Sequence, residues 1–123
     1  MTEPCDVRPD RPATGSLSEF RLDAELERLR SEAAWTSGTR NAITLAKGPL
    51  TIVLVALKPG AMLEEHRARG PMTLQVLSGT IRFRSAGTVR DVEAGQFVVL
   101  ASTLAHEVEA VTESALLLTL AGL

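Results

Sequence analysis

The chain has 123 residues, enough for one domain, with 45% hydrophobic and 23% charged residues and a net charge of −2. That composition excludes a disordered chain, and the charge excludes the basic field that nucleic acid demands. No run of about 18 apolar residues marks a membrane span.

Residues 1–16 read as a loose tail. Pro4, Pro9, Pro12 and Gly15 interrupt regular structure, and nothing apolar clusters there. The stretch has no apolar core of a secretory signal. Its Cys5 is the one cysteine of the chain, so no internal disulfide can form, and the chain reads as cytoplasmic.

Residues 17–40 read as a helix and linker. Leu22, Leu26, Leu29 and Ala33 make one apolar stripe, which predicts a helix over Ser18–Ala34 with Ser18 or Asp23 as its cap. Trp35 anchors the end of that helix.

From Asn41 to the end the pattern changes to short strands. Ala42–Ala46, Leu50–Leu57, Met72–Leu77, Ile81–Arg84, Val89–Val92, Phe97–Leu100, Leu104–Ala110 and Ala115–Leu120 are the predicted strands. Turn signals separate them, among them Lys58-Pro59-Gly60, Ser78-Gly79, Ser85-Ala86-Gly87 and Glu93-Ala94-Gly95. Strands at this spacing predict an all-β sandwich or barrel. The Leu50–Leu57 strand is apolar on both faces, so a helix, another sheet or a second copy must cover its outer side. A homodimer is expected.

The chain has two histidines. In Leu104–Glu109 the period of two puts Leu104, His106 and Val108 on one face, with Glu107 and Glu109 on the other. The acidic side belongs in water, so His106 points inward. An inward imidazole needs a hydrogen bond, a metal or a ligand, and the sequence leaves these open. His66 lies among Glu64, Glu65, Arg67 and Arg69, where no clear period fixes its direction. If the two histidines meet, they form a polar pair in an apolar cavity, as small-molecule sites do. Arg82 and Arg84 alternate with Ile81 and Phe83 and are expected in solvent. With no tyrosine, the chain lacks a phenolic acid.

The spacing of these residues resembles the cupin family. Gly60, five residues, then His66, with Gly79 closing the segment, matches the first cupin motif. Gly95 and His106 match the second, and fifteen residues, Thr80 to Ala94, separate the two. The resemblance implies a double-stranded β-helix (jelly-roll) barrel over residues 41–123, in a family of mostly homodimeric proteins. It also implies a metal shell of three histidines and one glutamate. Here Ala68 stands at the second histidine position and Met72 at the glutamate position. Ala101, Thr103 and Ala110 replace the proline, glycine and asparagine of the second motif. His66 and His106 remain as metal positions for one divalent ion (Zn, Ni, Fe, Mn or Cu), an incomplete shell that Glu65 or Gln75 could extend. The expected ligand-binding set is His66, Met72, Gln75 and His106. Alternation of Gln75 against Leu74 and Val76 also permits an outward side chain.

Three functional expectations follow. The first is a barrel whose cavity binds a small organic ligand or a weakly held divalent metal. The second is a metal-dependent oxygenase, isomerase or lyase. The third is a structural or interaction module with a filled core.

Overall fold

Alternating apolar residues fold the chain into two packed sheets. The computed structural model describes residues 5–7, 17–67, 70–101 and 105–121, with the backbone alone for 5–7 and 64–67. In chain order the elements are β1 (Cys5–Val7), α1 (Leu22–Leu29), α2 (Ala33–Thr36), β2 (Arg40–Ala46), β3 (Leu50–Leu57), β4 (Met62–Arg67) and β5 (Met72–Ser78). They continue with β6 (Thr80–Ser85), β7 (Thr88–Glu93), β8 (Phe97–Leu100), β9 (Ala105–Ala110) and β10 (Ser114–Ala121). One sheet has six strands in the order β1-β2-β3-β10-β5-β8, and the other has four in the order β4-β9-β6-β7. All neighbours are antiparallel except β1, which runs parallel to β2. The result is the jelly-roll barrel that the resemblance implies.

Both sheets contribute to one interior. Val53, Val55 and Leu57 of β3, Met72, Leu74 and Val76 of β5, and Leu116 of β10 meet Ile81, Phe83, Val92 and Val108 of the smaller sheet. Burial of these side chains is the main driving force of the fold, at about 1.5–3 kcal/mol for each large aliphatic residue.

A second cluster covers the outer face of the six-stranded sheet. Leu29 and Trp35 pack on Ile43, Leu45, Leu54 and Ala56. The helices thus cover the outer side of β3 over its second half, while Leu50 at its start stays half exposed. Lys58 and Arg30 lie 5.1 and 5.7 Å from the Trp35 ring, a cation–π arrangement that completes the seat of the second helix.

Several expectations change. The single helix over Ser18–Ala34 is two helices, because Asn41 intervenes. Its Nδ2 donates to the Leu29 carbonyl at 2.9 Å and to Glu32 Oε1 at 2.9 Å. That satisfies a carbonyl at the end of α1, and Glu32 takes an extended backbone. The apolar stripe therefore stops at Leu29. Ala33 is exposed, and Trp35 makes the next buried contact. The N-cap is Arg21, with no side-chain capping bond, rather than Ser18 or Asp23. Within the tail, Cys5–Val7 has no proline or glycine and adds a short edge strand to β2.

The strand β4 was not expected at all. A bulge explains its weak pattern. Leu63 pairs with Val108 and His66 pairs with His106, so two residues, Glu64 and Glu65, stand against Glu107. Gly79, in the turn between β5 and β6, has φ +83°, and a Cβ there would fall onto the Glu113 carbonyl oxygen and Ser114 Oγ. Only glycine fits this backbone.

Candidate functional site

His106 sits on β9, between β4 and β6. Its backbone partners are His66 on one side and Ser85 on the other. The side chain is buried, with 3% exposure, as its place beside Val108 predicts. Its ring stacks on Phe83, with centroids 5.8 Å apart and planes inclined by 14°. The phenyl ring fixes the imidazole plane and closes the side toward the core.

The register places His66 directly opposite His106. Directly paired residues of an antiparallel ladder have Cα atoms about 4.5–5.5 Å apart. The two positions that the sequence could not bring together are therefore cross-strand neighbours. The bulge at Glu64 and Glu65 sets this pairing. A regular ladder continued from Leu63 would put Glu65 opposite His106 instead.

The other predicted ligand residues lie elsewhere. Met72 is inward, 4% exposed, and packed in the cluster that holds Phe83 and Val108. Its cross-strand partners are Leu100 and Leu120. It fills the interior as an apolar side chain. Gln75 is a correction: it is exposed on the outer face of β5, paired with Phe97 and Leu117. Strand alternation turns it away from Leu74 and Val76, so it does not extend a shell around His106. Ala68, Thr103 and Leu104 lie outside the described residues, as do the side chains of Glu65 and His66.

A recess of about 310 Å³ opens beside His106 at the ends of β6, β7 and β9. Ser85, Ala86, Gly87, Thr88 and Ala105 line it together with His106. Its rim is a tight hairpin turn in which Ala86 and Gly87 both take left-handed backbone, at φ +52° and +78°. Two such residues in succession match the twist of the flanking strands. Ala86 holds this conformation against its own preference, a strain on the order of 1 kcal/mol. Ser85 Oγ donates to the Ala105 carbonyl at 2.7 Å and ties the turn to the start of β9. Sequence reasoning missed Phe83, Ser85 and Thr88. The signal was present: period two from Ile81 puts Phe83 and Ser85 on the face of His106.

The outer face of the same sheet is a charge ladder. Arg84 reaches Glu107 at 3.5 Å and Glu109 at 3.1 Å, and Arg82 Nε lies 3.1 Å from Asp91. The hydrogen bond that Arg82 donates to Asp91, together with the charge of that carboxylate, holds the Arg82 guanidinium above its ordinary range. Both arginines face solvent, as alternation predicts.

The donor set does not build the full metal shell that the resemblance implies. Ala68 has no donor, and the Met72 thioether is soft and packed in the core. Among the described residues no three His, Cys, Asp or Glu side chains come together. Two facing imidazole positions fall short of the three protein ligands that catalytic sites use.

Comparison with known proteins decides the family. The cupin-domain profile matches residues 53–121. The chain belongs to the cupin family. A conserved Streptococcus pyogenes protein of unknown function has the same fold, with a TM-score of 0.69 and 19% identity over 91% of this chain and 93% of its own. A mutant salicylate 1,2-dioxygenase from Pseudoaminobacter salicylatoxidans in complex with gentisate superposes with a TM-score of 0.73, at 17% identity, over 82% of this chain and 32% of its own. The Bacillus subtilis oxalate decarboxylase, with Mn(II) centres, superposes with a TM-score of 0.59, at 24% identity, over 67% of this chain and 24% of its own. These likenesses show a shared barrel. No curated protein matches this chain. Among the described residues no helix is long and apolar enough to cross a membrane.

Proposed function

We propose that this cupin binds a small organic molecule in the recess beside His106. The observation that carries the reading is the recess itself, with a buried imidazole in its wall and the hydroxyls of Ser85 and Thr88 nearby. Polar groups, with Arg84 and Glu107 among the lining residues, give orientation, and the concavity gives affinity. Met72, Phe83 and Val108 pack together in the barrel interior, while the recess opens at the strand ends, which is where the ligand is placed. The test is a thermal-shift screen of small acids, sugars and amino acids. A compound that raises the melting temperature of the native chain should lose that effect in His106→Ala. Retention of the full shift in that variant would overturn the reading.

The cross-strand pairing of His66 and His106 supports a second reading, a weakly held divalent metal between the two imidazoles. The barrel is shared with an oxalate decarboxylase that holds Mn(II) centres and with a salicylate dioxygenase, which favours a metal and metal-dependent catalysis as this second reading. Two nitrogen ligands would leave the remaining positions to water, so the ion should exchange readily. Metal content by mass spectrometry tests it. About one Zn, Ni, Fe, Mn or Cu per chain should be present before dialysis and absent in the His66→Ala/His106→Ala double variant. Equal metal in both proteins would refute it.

We also propose that the chain forms a homodimer through the outer face of the six-stranded sheet. On β3, β10, β5 and β8 the positions of that face, including Leu50, Ile52, Thr73, Leu117, Thr119 and Val99, carry no charge. Two copies with a net charge of −2 each meet most favourably on an uncharged face. Light scattering should give twice the chain mass for the native protein and the monomer mass for Val99→Lys. A monomer in both cases would rule the dimer out.

A further inference from the structure

A second recess, of about 450 Å³, lies where β7 turns through Gly95 and Gln96 into β8. These two strands are the edges of different sheets, so the recess sits in the seam between them. Arg90, Asp91, Val92, Gln96, Phe97 and Val98 line it, with Gly95 at the turn.

Arg90 is the unusual member. Val92 is buried and pairs with Ile81, and Arg90, two residues earlier, pairs with Phe83. Period two therefore sets Arg90 on the inward face of β7. At that sheet edge no further strand covers it, and the residue is exposed. Arg82 and Arg84 on the next strand lie on the outer face and are bound to carboxylates. The nearest acid in sequence, Asp91, is committed to Arg82 at 3.1 Å. Arg90 has no hydrogen-bond or ion-pair partner among the described residues. Asp91 also lines the recess, but it lies on the other face of β7 and is paired with Arg82, so the Arg90 guanidinium is left to take an external anion.

The surroundings fit the rest of such a ligand. Gln96 Oε1 accepts the Glu93 N–H at 2.8 Å, which fixes the amide and leaves its NH₂ group able to donate. Phe97 is 60% exposed, and Val98 packs part of its surface on the interior cluster. We propose that this seam binds a small organic monocarboxylate with an apolar body. The guanidinium of Arg90 takes the carboxylate as a two-pronged pair, the Gln96 amide adds a donor, and Val98, on the inward face like Arg90, meets the apolar part. This site goes beyond the His106 recess and does not depend on it.

Titration of the full chain with benzoate at low salt, followed by ¹⁵N NMR and calorimetry, tests the proposal. Saturable binding in the millimolar range should shift the amides of Gly95, Gln96, Phe97 and Val98. Arg90→Gln should weaken binding by roughly tenfold or more, since a charge-assisted pair is lost. Benzamide, with the same ring and no charge, should bind the native chain as weakly. Lys47→Gln, which removes an exposed cation outside the recess, should leave the affinity unchanged. The exposed position of Arg90 lets its variant fold, and an unfolding curve matching the native one confirms that. Equal benzoate affinity in native and Arg90→Gln chains would overturn the proposal, as would a failure to saturate. Shifts centred on Ser85, Thr88 and His106, abolished in His106→Ala, would assign the anion to the first recess. The seam proposal would then fall while the first reading stood.

Discussion

The six-stranded sheet is covered on both sides along the second half of β3, whereas the four-stranded sheet has one buried face and one face of paired charges. On β3, Val53, Val55 and Leu57 point inward while Leu54 and Ala56 meet Leu29 and Trp35 outside. On β6, Ile81 and Phe83 point inward while Arg82 and Arg84 face water. The first sheet is held by apolar burial twice over. The second is held by one apolar face and by ion pairs of little individual worth. The recess beside His106 belongs to the second, at the ends of its strands. The two sheets thus differ in what holds them, and the proposed ligand recess lies on the less apolar one.

Substitutions on each sheet sharpen that division. Leu54→Ala empties a fully buried site between helix and sheet, and it should lower stability by about 2–5 kcal/mol in urea unfolding. A loss below about 1 kcal/mol would mean that the helices contribute little to the larger sheet. Gly79→Ala, at the join between the two sheets, forces a methyl onto Glu113 and Ser114 at positive φ. It should cost about 2–4 kcal/mol by the same measurement. Arg84→Ala on the charged face should cost only about 0.5 kcal/mol, and less in high salt. A loss comparable to that of Leu54→Ala would break the comparison, because the charge ladder would then hold its sheet. Ala86→Gly should raise stability by up to about 1 kcal/mol, since glycine takes the left-handed backbone without strain.

Much of this arrangement was legible in the sequence, for local reasons. Period two in Leu104–Glu109 put His106 inside and Glu107 and Glu109 outside, because a strand with one wet face must alternate. The same rule put Arg82 and Arg84 in water. It failed at β4, where the bulge inserts a residue and Glu64 and Glu65 share one place in the ladder. A bulge is a property of the pairing between two strands, so no window within one strand reveals it. The helix break is similar. Nothing between Ser18 and Ala34 forbids a continuous helix, and Asn41, a residue of β2, supplies the bonds that end α1. Gln75 was assigned to the ligand set by its nearness in sequence to a motif position, against its own alternation. Arg90 went unnoticed because its inward placement follows only once Val92 is known to be buried.

The left-handed pair at Ala86 and Gly87 has a kinetic consequence. The rim of the recess is stiffened by the backbone of its hairpin turn, and neither residue needs to touch a ligand for this to matter. Exchange of Ala86 for glycine frees the turn, while asparagine keeps it tight and tolerates the conformation. The two variants form a pair in which the wall chemistry of Ser85, Thr88 and His106 is constant and the speed at which the proposed ligand enters and leaves is the variable. The mouth of this barrel can therefore be tuned in time without being altered in chemistry.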